Sequence, residues 1–167
     1  MMGSGKSALG RLLAARLRWA CLDLDREVER RTGKTVAALF AELGEAGFRR
    51  AEAAALAEAA VRPRVVVATG GGTMLDSANR ALALAAGRVL YLRATPEALA
   101  ARLVGDTTRP LLLDSEGQSL APDALKTRLE TLLAVRQAAY YEADATVETT
   151  GRTPAEVLEA VMFALRR

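Results

Sequence analysis

The glycine-rich stretch at the start of the chain, Gly3-Ser4-Gly5-Lys6-Ser7, constrains the fold most, because it runs straight into an apolar-periodic helix. The stretch matches the second half of a phosphate-binding loop, G-x-x-x-x-G-K-[ST]. In such a loop the glycines let backbone N–H groups surround phosphate oxygens, and the following helix presents its positive end. A lysine and a hydroxyl then reach the outer phosphates and Mg²⁺. The stretch therefore predicts a phosphate-bearing ligand at the N-terminus of a helix.

The motif is incomplete at its amino-terminal side. Its first glycine would come directly before Met1, and the apolar strand that feeds such a loop would come before that. We therefore expect the true chain to begin upstream of Met1, with an apolar strand and a glycine in roughly ten added residues.

The composition is that of a globular chain and excludes several classes of protein. Of the 167 residues, 51% are hydrophobic and 26% are charged, which is enough for one domain with a real core. The net charge of +3 comes from scattered arginines, so an anionic small substrate explains it as well as nucleic acid would. The single cysteine, Cys21, excludes an internal disulfide, and the lack of histidine excludes the usual metal sites and histidine-based triads. No membrane span or signal peptide is evident, which leaves a cytoplasmic enzyme or binding protein.

Strands alternate with helices along the chain, and this alternation predicts an α/β fold with a mostly parallel sheet. The segment 65–69 is the clearest buried strand, and Ala20 to Asp23 reads as a shorter buried strand. The predicted strands are 20–23, 65–69, 89–92 and 145–149. The predicted helices are 5–17, 25–31, 36–43, 48–60, 77–86, 96–103, 123–142 and 154–165, with Gly33 as a C-cap, Thr35 as an N-cap, and Gly44 and Gly47 as breaks.

Three segments are candidates for one ligand site: the loop 3–7 and the segments 23–25 and 70–72, which follow predicted strands. Ligands of parallel sheets bind at the carboxyl ends of strands, so these segments can converge. In Asp23-Leu24-Asp25, strand alternation would aim both carboxylates the same way, toward metal-phosphate and substrate. An N-cap role is the alternative for one of the two acids. Gly70-Gly71-Gly72 exceeds the needs of a single turn, which favours close approach of a ligand to the backbone.

Several arginines are candidates for binding an anion. Arg49 and Glu52 share one helix face, where a surface ion pair is the ordinary alternative. Arg109 lies in the irregular segment 104–121, which suits a lid that closes on a transferring phosphate. Arg136 competes with an ordinary charged helix face, and Tyr140-Tyr141 is interpreted as core and rim.

The order and spacing of these motifs resemble those of shikimate kinases from residue 3 to the C-terminus. The shared motifs are Gly-Ser-Gly-Lys-Ser, Asp-Leu-Asp, Glu29 with Thr32-Gly33-Lys34, Gly44-Glu45 with Phe48-Arg49-Arg50 and Glu52, Thr69-Gly70-Gly71-Gly72, and Arg109-Pro110-Leu111-Leu112. The resemblance implies a three-layer P-loop NTPase fold in which a parallel sheet is flanked by helices and the N-terminal central strand is missing. It implies one domain, 1–167, with a lid at about 104–121 and a substrate-binding region at about 25–60.

On the nucleotide side, the resemblance implies that Lys6 contacts the β- and γ-phosphates of ATP and that Ser7 binds Mg²⁺ with help from Asp23. Arg109 would come down with the lid onto the γ-phosphate. The implied nucleotide-binding set is Gly3, Ser4, Gly5, Lys6, Ser7, Ala8, Arg102, Arg109 and Pro154, of which Arg102 and Pro154 would bracket the adenine.

On the substrate side, the resemblance implies that Asp25 lies next to the attacking hydroxyl and that Glu52 orients Arg49. The implied substrate-binding set is Asp25, Arg49, Glu52, Gly70, Gly71, Gly72 and Arg136, and the implied catalytic set is Lys6, Asp25 and Arg109. The residue types fit this chemistry, since phosphoryl transfer needs positive charge and alignment, and a carboxylate can accept the hydroxyl proton. Two arginines suit a carboxylate-bearing substrate.

The function implied is ATP-dependent phosphorylation of the 3-hydroxyl of shikimate, a step toward chorismate and the aromatic amino acids. The expected protein is a cytoplasmic monomer with no nucleic-acid or membrane partner. A related small-molecule kinase such as gluconate kinase is the alternative within the class. A nucleotide-binding remnant without catalysis is the alternative outside it, because loss of a central strand would leave two strands about 9–10 Å apart with unpaired backbone groups.

Overall fold

The computed structural model describes residues 1–114 and 116–166. Seven α-helices and four short strands occur in these ranges, and their order alternates as the sequence predicts. The helices are α1 (Lys6–Leu17), α2 (Leu24–Thr32), α3 (Val36–Ala60), α4 (Ser77–Ala86), α5 (Pro96–Leu103), α6 (Pro122–Tyr141) and α7 (Pro154–Ala164). The strands are β1 (Ala20–Asp23), β2 (Val65–Ala68), β3 (Leu90–Arg93) and β4 (Ala145–Glu148), and 3₁₀ helices span Thr73–Leu75 and Pro110–Leu112.

The strands form two separate parallel pairs. β1 pairs with β2 from Ala20–Val65 to Asp23–Ala68, and β3 pairs with β4 in a register that begins at Leu90–Ala145. Within the residues described, neither β2 nor β3 has a partner on its second edge.

Both pairs direct their carboxyl ends toward the glycine-rich loop. β1 and β2 are followed by Asp25 and Gly70, whose neighbourhoods meet at the loop. Beyond β4, the carbonyl of Thr149 accepts a hydrogen bond from Arg102 at 2.8 Å, and the same guanidinium donates to the carbonyl of Gly3 at 3.2 Å. The functional residues predicted at strand ends therefore gather at one edge of the molecule, as expected for parallel strands.

A cavity of about 650 Å³ lies between the two strand pairs, and we call it the central slot. Its walls are β2 on one side and Leu90 and Leu92 of β3 on the other. Helices α1, α3, α4 and α7 contribute further lining, together with the loops at 61–64 and 87–89. A gap of this kind was expected between two strands, and the central slot lies between β2 and β3.

The central slot explains one difference from the sequence prediction. Val65, Val66 and Val67 were expected to form a buried strand, but they are only half-buried because the open slot leaves one side of β2 uncovered. Ala20 and Cys21 of β1 are exposed, also against expectation, because β1 pairs with β2 on one side only.

The helix boundaries follow local capping chemistry. Thr35 accepts a hydrogen bond from the N–H of Ala38 at 3.2 Å, and Gly33 ends α2 with φ 68°, both as predicted. The two helices expected at 36–43 and 48–60 are one element with a kink at Gly44, where φ is 66° and ψ 179°. Gly47 was expected to break the helix and does not, because only Gly44 leaves the helical conformation.

The predicted lid segment is partly ordered by packing. Leu112, in its short 3₁₀ helix, is buried among Met1, Met2, Leu125 and Leu129. A single antiparallel bridge joins Leu113 to Ser119. The predicted lid also includes Ser115, and the predicted domain ends at Arg167; both residues lie outside those described.

None of the described helices is both long enough and apolar enough to cross a bilayer.

Candidate active site

The glycine-rich loop leads directly into α1, and Lys6 is the first residue of this helix. Gly5 is the N-cap of this helix with φ 89°, a left-handed conformation that favours glycine, and no side chain caps the first turn. The N–H groups that open α1 are therefore free to bind an anion. The carbonyl of Met1 accepts hydrogen bonds from Lys6 Nζ at 2.5 Å and from Ser4 Oγ at 2.8 Å, which fixes the loop conformation.

Positive charges converge around the loop. Burial and the neighbouring Arg109 lower the pKa of Lys6 from 10.5 to about 8, although the carboxylates of Asp25, Asp23 and Glu52 oppose the shift. Burial, followed by the charges of Lys6, Arg136 and Arg109, lowers the pKa of the Met1 amino group well below its ordinary value. Such mutual repulsion marks a site that an anion would stabilise.

The two acids after β1 play different structural roles. Asp23 is the N-cap of α2, and its carboxylate accepts from the N–H of Arg26 at 3.3 Å. Asp25 lies in the first turn of that helix, so the predicted strand alternation across Asp23-Leu24-Asp25 is wrong. Leu24 between them is fully buried, and the charges of both acids act on the pKa of Lys6, so both acids lie within electrostatic reach of the loop. The capping alternative is confirmed for Asp23.

Asp25 has an environment that suits a proton acceptor. Burial raises the pKa of its carboxyl group, and the charges of Glu52 and Asp23 add to the rise, while Lys6 and Arg109 oppose it. A carboxylate whose pKa is raised toward neutrality is a better general base than an ordinary exposed one.

A buried carboxylate holds Arg49 in place. Glu52 is fully buried, and its Oε2 accepts from Arg49 Nη1 at 2.6 Å. Its other oxygen accepts from the hydroxyl of Thr73, which is also fully buried. Glu45 forms a second ion pair with Arg49 at 2.9 Å. Glu52 is fully buried and the Arg49 side chain is 25% exposed, so this ion pair is half-buried and is not the surface pair that was the alternative.

The three glycines after β2 serve mainly the protein's own side chains. A Cβ on Gly70 would collide with Glu52 and would lie 2.9 Å from Asp25 Oδ1, while a Cβ on Gly72 would collide with the Arg49 guanidinium. The protein's own side chains therefore give Gly70 and Gly72 a structural reason, and their contact with a ligand stays a prediction. Gly71 is less crowded, since a Cβ on it would lie 3.3 Å from Met2 N and 3.8 Å from Arg136 Nη1.

Arg136 carries an unused hydrogen-bond donor at this point. Its side chain, on α6, is buried, and Nη1 has no hydrogen-bond partner among the residues described. One turn further along, the hydroxyl of Tyr140 donates to the carbonyl of Gly71. A buried charged donor without a partner costs free energy of folding, so an anionic acceptor beside Gly71 would stabilise Arg136.

The lid arginine lies near the same charges. Arg109 Nε donates to Asp106 Oδ2 at 2.9 Å, and its side chain remains 40% exposed. The same guanidinium affects the pKa values of Lys6 and Asp25, so it lies within the electrostatic reach of the loop.

Arg102 and Pro154 are the two residues predicted to bracket the adenine. Arg102 joins the loop to the segment after β4 through Gly3 and Thr149. Pro154 is the exposed first residue of α7. Arg102 lies on the Gly3 side of the site and is held by the carbonyl groups of Gly3 and Thr149.

Three residues that the sequence did not single out as site residues form hydrogen bonds to residues that it did single out. Thr73 holds Glu52, Tyr140 holds Gly71, and Asp106 pairs with Arg109. Thr73 could have been suspected because it directly follows the triple glycine. Nothing in the sequence points to the other two.

A metal would depend on the phosphates for most of its ligands. The described residues contain no group of three or more His, Cys, Asp and Glu side chains that could hold a metal ion. Ser7, in the first turn of α1, and Asp23, at the end of β1, fit an ion that is shared with a bound polyphosphate.

Parallel strands, a glycine-rich loop that opens a helix, a lysine at that loop and a carboxylate beside it define a kinase of the P-loop class. The sequence profile of the family described as Shikimate kinase matches residues 2–166. A shikimate kinase of Salinibacter ruber is 47% identical over 148 residues, which are 88% of this chain and 72% of the relative. That of Pseudomonas paraeruginosa is 41% identical over 167 residues, covering 99% of this chain and 92% of the relative.

A solved structure gives the same result. The structure of shikimate kinase from Acinetobacter baumannii in complex with shikimate superposes with a TM-score of 0.88 at 35% identity, covering 96% of this chain and 86% of the other. The chain belongs to the shikimate kinase family. It is an enzyme of the ATP-using kinases with the P-loop NTPase fold, as the order of its motifs predicts.

Proposed function

We propose that this chain transfers the γ-phosphoryl group of ATP to the 3-hydroxyl of shikimate, with the residue roles that follow. The observation that carries the assignment to this site is the unpaired, buried Nη1 of Arg136 beside Gly71. Arg136 and Arg49 supply two guanidinium groups for one carboxylate, and Asp25 lies on the same side of the loop.

Asp25 accepts the proton of the attacking hydroxyl. The bond between the 3-oxygen and the γ-phosphorus forms while the bond from that phosphorus to the β,γ-bridging oxygen breaks, and ADP leaves. The raised pKa of Asp25 supports this role, since it brings the basicity of the carboxylate closer to the operating pH.

Lys6, Arg109 and the N-terminus of α1 bind the phosphates. Their N–H groups and charges face the place where the γ-phosphoryl group carries its charge during transfer. Ser7 and Asp23 would hold Mg²⁺, which neutralises phosphate charge when it is bound. Arg102 and Pro154 would lie beside the adenine, because Arg102 is tied to the carbonyl of Gly3 on that side.

Asp25→Asn tests the proton-acceptor role. Because the amide cannot take the proton, kcat should fall at least about 100-fold. ATP should still bind with nearly unchanged affinity, since Lys6 and α1 are untouched. Turnover is measured with ATP and shikimate, with gluconate as the competing substrate, and ATP binding is measured by calorimetry.

Asp123→Asn is the matched control, because Asp123 is exposed at the start of α6 and loses the same charge. Its kcat should equal that of the parent chain. Full activity of Asp25→Asn would refute the role of Asp25, and turnover of gluconate without turnover of shikimate would refute the substrate assignment.

A further inference from the structure

Arg49 is bound by two carboxylates at different nitrogens of its guanidinium group. Its Nη1 donates to Glu52 Oε2 at 2.6 Å, and its Nη2 and Nε donate to Glu45 Oε1 at 2.9 Å and 3.3 Å. Glu52 is fully buried, whereas the Glu45 side chain is 51% exposed. The reaction proposed above gives the pair with Glu52 a role and leaves the pair with Glu45 without one.

The nitrogen that Glu45 engages lies against the glycine segment of the site. Of the Arg49 nitrogens, Nη2 would lie nearest to a Cβ on Gly72, at 2.3 Å. Arg136 Nη1 would lie 3.8 Å from a Cβ on the neighbouring Gly71. The two arginines thus lie beside adjacent glycines, and a carboxylate shared between them would have to bind Arg49 close to the nitrogen that Glu45 already engages.

The two acids already neutralise Arg49 in the ligand-free protein. Burial lowers the pKa of Arg49, but the charges and hydrogen bonds of Glu52 and Glu45 outweigh burial and leave this pKa above its ordinary value. A third carboxylate at the same guanidinium would be repelled by both acids. Glu52 is held in place, because it is fully buried and its other oxygen accepts from Thr73. Glu45 is therefore the acid that can give way.

Release of Glu45 from Arg49 costs little free energy. The pair is an i, i+4 pair whose acid is half exposed, and water solvates the carboxylate when such a pair opens. Glu45 directly follows Gly44, whose φ of 66° interrupts α3, so it lies in the first turn of the helical segment that resumes there. A carboxylate in a first turn interacts favourably with the helix dipole whether or not it is paired.

We propose that Glu45 competes with the carboxylate of the substrate: it occupies Nε and Nη2 of Arg49 in the ligand-free protein and moves into solvent when the substrate binds. The inference rests on the proposed function, because it requires a substrate whose carboxylate Arg49 binds. Glu45 thereby lowers the affinity for a carboxylate ligand. A neutral ligand does not compete for Arg49, so its affinity is independent of Glu45.

Glu45→Gln tests the competition, because it removes the charge and nearly keeps the size of the side chain. The Kd for shikimate is measured by calorimetry without ATP. The matched control is Glu42→Gln, since Glu42 lies on the same helix, is 52% exposed and pairs with Lys34 instead of Arg49. The parent and both variants are also measured with an analogue of shikimate that carries a hydroxymethyl group in place of the carboxylate.

Glu45→Gln should lower the Kd for shikimate about two- to fivefold, as expected for the loss of an exposed ion pair, and should leave the Kd of the hydroxymethyl analogue unchanged. Glu42→Gln should match the parent for both ligands. A raised or unchanged Kd for shikimate in Glu45→Gln would overturn the proposal, and so would an equal gain in Glu42→Gln or with the neutral analogue. If the parent protein did not bind shikimate, the proposed function itself would be refuted, and the inference with it.

Discussion

At the scale of the residue, Arg136 combines burial with an unmet hydrogen bond, and this combination predicts opposite effects on stability and on substrate binding. Arg136→Met removes a buried charge whose Nη1 has no partner, so the ligand-free protein should be more stable, by about 1 kcal/mol or more. The same change removes the partner of the substrate carboxylate, so KM for shikimate should rise at least about tenfold. Thermal unfolding and steady-state kinetics measure the two effects.

Arg128 provides the control, because it lies on α6 as well but is exposed. Arg128→Met should leave KM unchanged. An Arg136→Met variant with a lower Tm and the parent KM would contradict the role proposed for Arg136.

The residues of the site show which features the sequence reveals. The sequence singled out Lys6, Asp25, Arg49 and Arg136 because each is a charged residue in a motif or at a fitting distance from one, and their roles stay predictions. The sequence did not reveal that Glu52 and Arg49 of α3 occupy the space beside Gly70 and Gly72, since these residues lie about twenty positions away in sequence. Such contacts depend on how α3 packs against the loop after β2, which no local pattern contains.

At the scale of the element, the 3₁₀ helix Thr73–Leu75 positions α3 through one hydroxyl group. Thr73 donates to Glu52, which in turn holds Arg49. Thr73→Val should therefore cost about 1–3 kcal/mol of stability by leaving the buried carboxylate short of a donor. It should also raise KM for shikimate more than it lowers kcat, because Thr73 acts through Arg49 and not on the reacting atoms.

Thr73→Ser separates this positioning role from packing, since serine keeps the hydroxyl and loses the methyl group. It should restore most of the KM. If Thr73→Val were destabilised but kept the parent KM, the chain from Thr73 through Glu52 to Arg49 would have no part in substrate binding.

Element boundaries were predictable where capping residues set them, and less so where tertiary packing did. Thr35 and Gly33 mark their helix ends by local hydrogen bonding and by a left-handed backbone. The start of α2 at Leu24 was missed, because complete burial of Leu24 against the α3 cluster competes with continuation of the strand. The kink at Gly44 was found, but its neighbour Gly47 fits inside the helix.

At the scale of the whole molecule, the sequence predicted the gap in the sheet and the shared edge of the site, since both follow from the order of strands and motifs. It could not predict which helices would line the slot between the two strand pairs. That outcome depends on how α1 and α7 pack across both pairs.

The charge balance of the ligand-free molecule predicts how its stability changes with pH. The pKa of Lys6 falls from 10.5 to about 8 on folding, so between these values the unfolded chain binds a proton that the folded chain has lost. The free energy of unfolding therefore rises with pH in this window. The lowered pKa of the Met1 amino group adds a rise that begins below pH 8.0. Asp25, with its raised pKa, has the opposite effect, which begins at about pH 3.8 and is complete once the pH exceeds its folded-state pKa.

Urea unfolding at pH 7 and pH 9 should thus show a higher free energy of unfolding at pH 9. Lys6→Met should stabilise the protein at pH 7 by at most about 3 kcal/mol, since one pKa unit corresponds to about 1.4 kcal/mol and the lost hydrogen bond to Met1 offsets part of it. The same variant should flatten the rise between the two pH values. Lys126→Met is the control, because Lys126 is 42% exposed and paired with Glu97, and it should keep the parent slope. An unchanged slope in Lys6→Met would show that the buried cations at the loop do not govern the stability of the ligand-free fold.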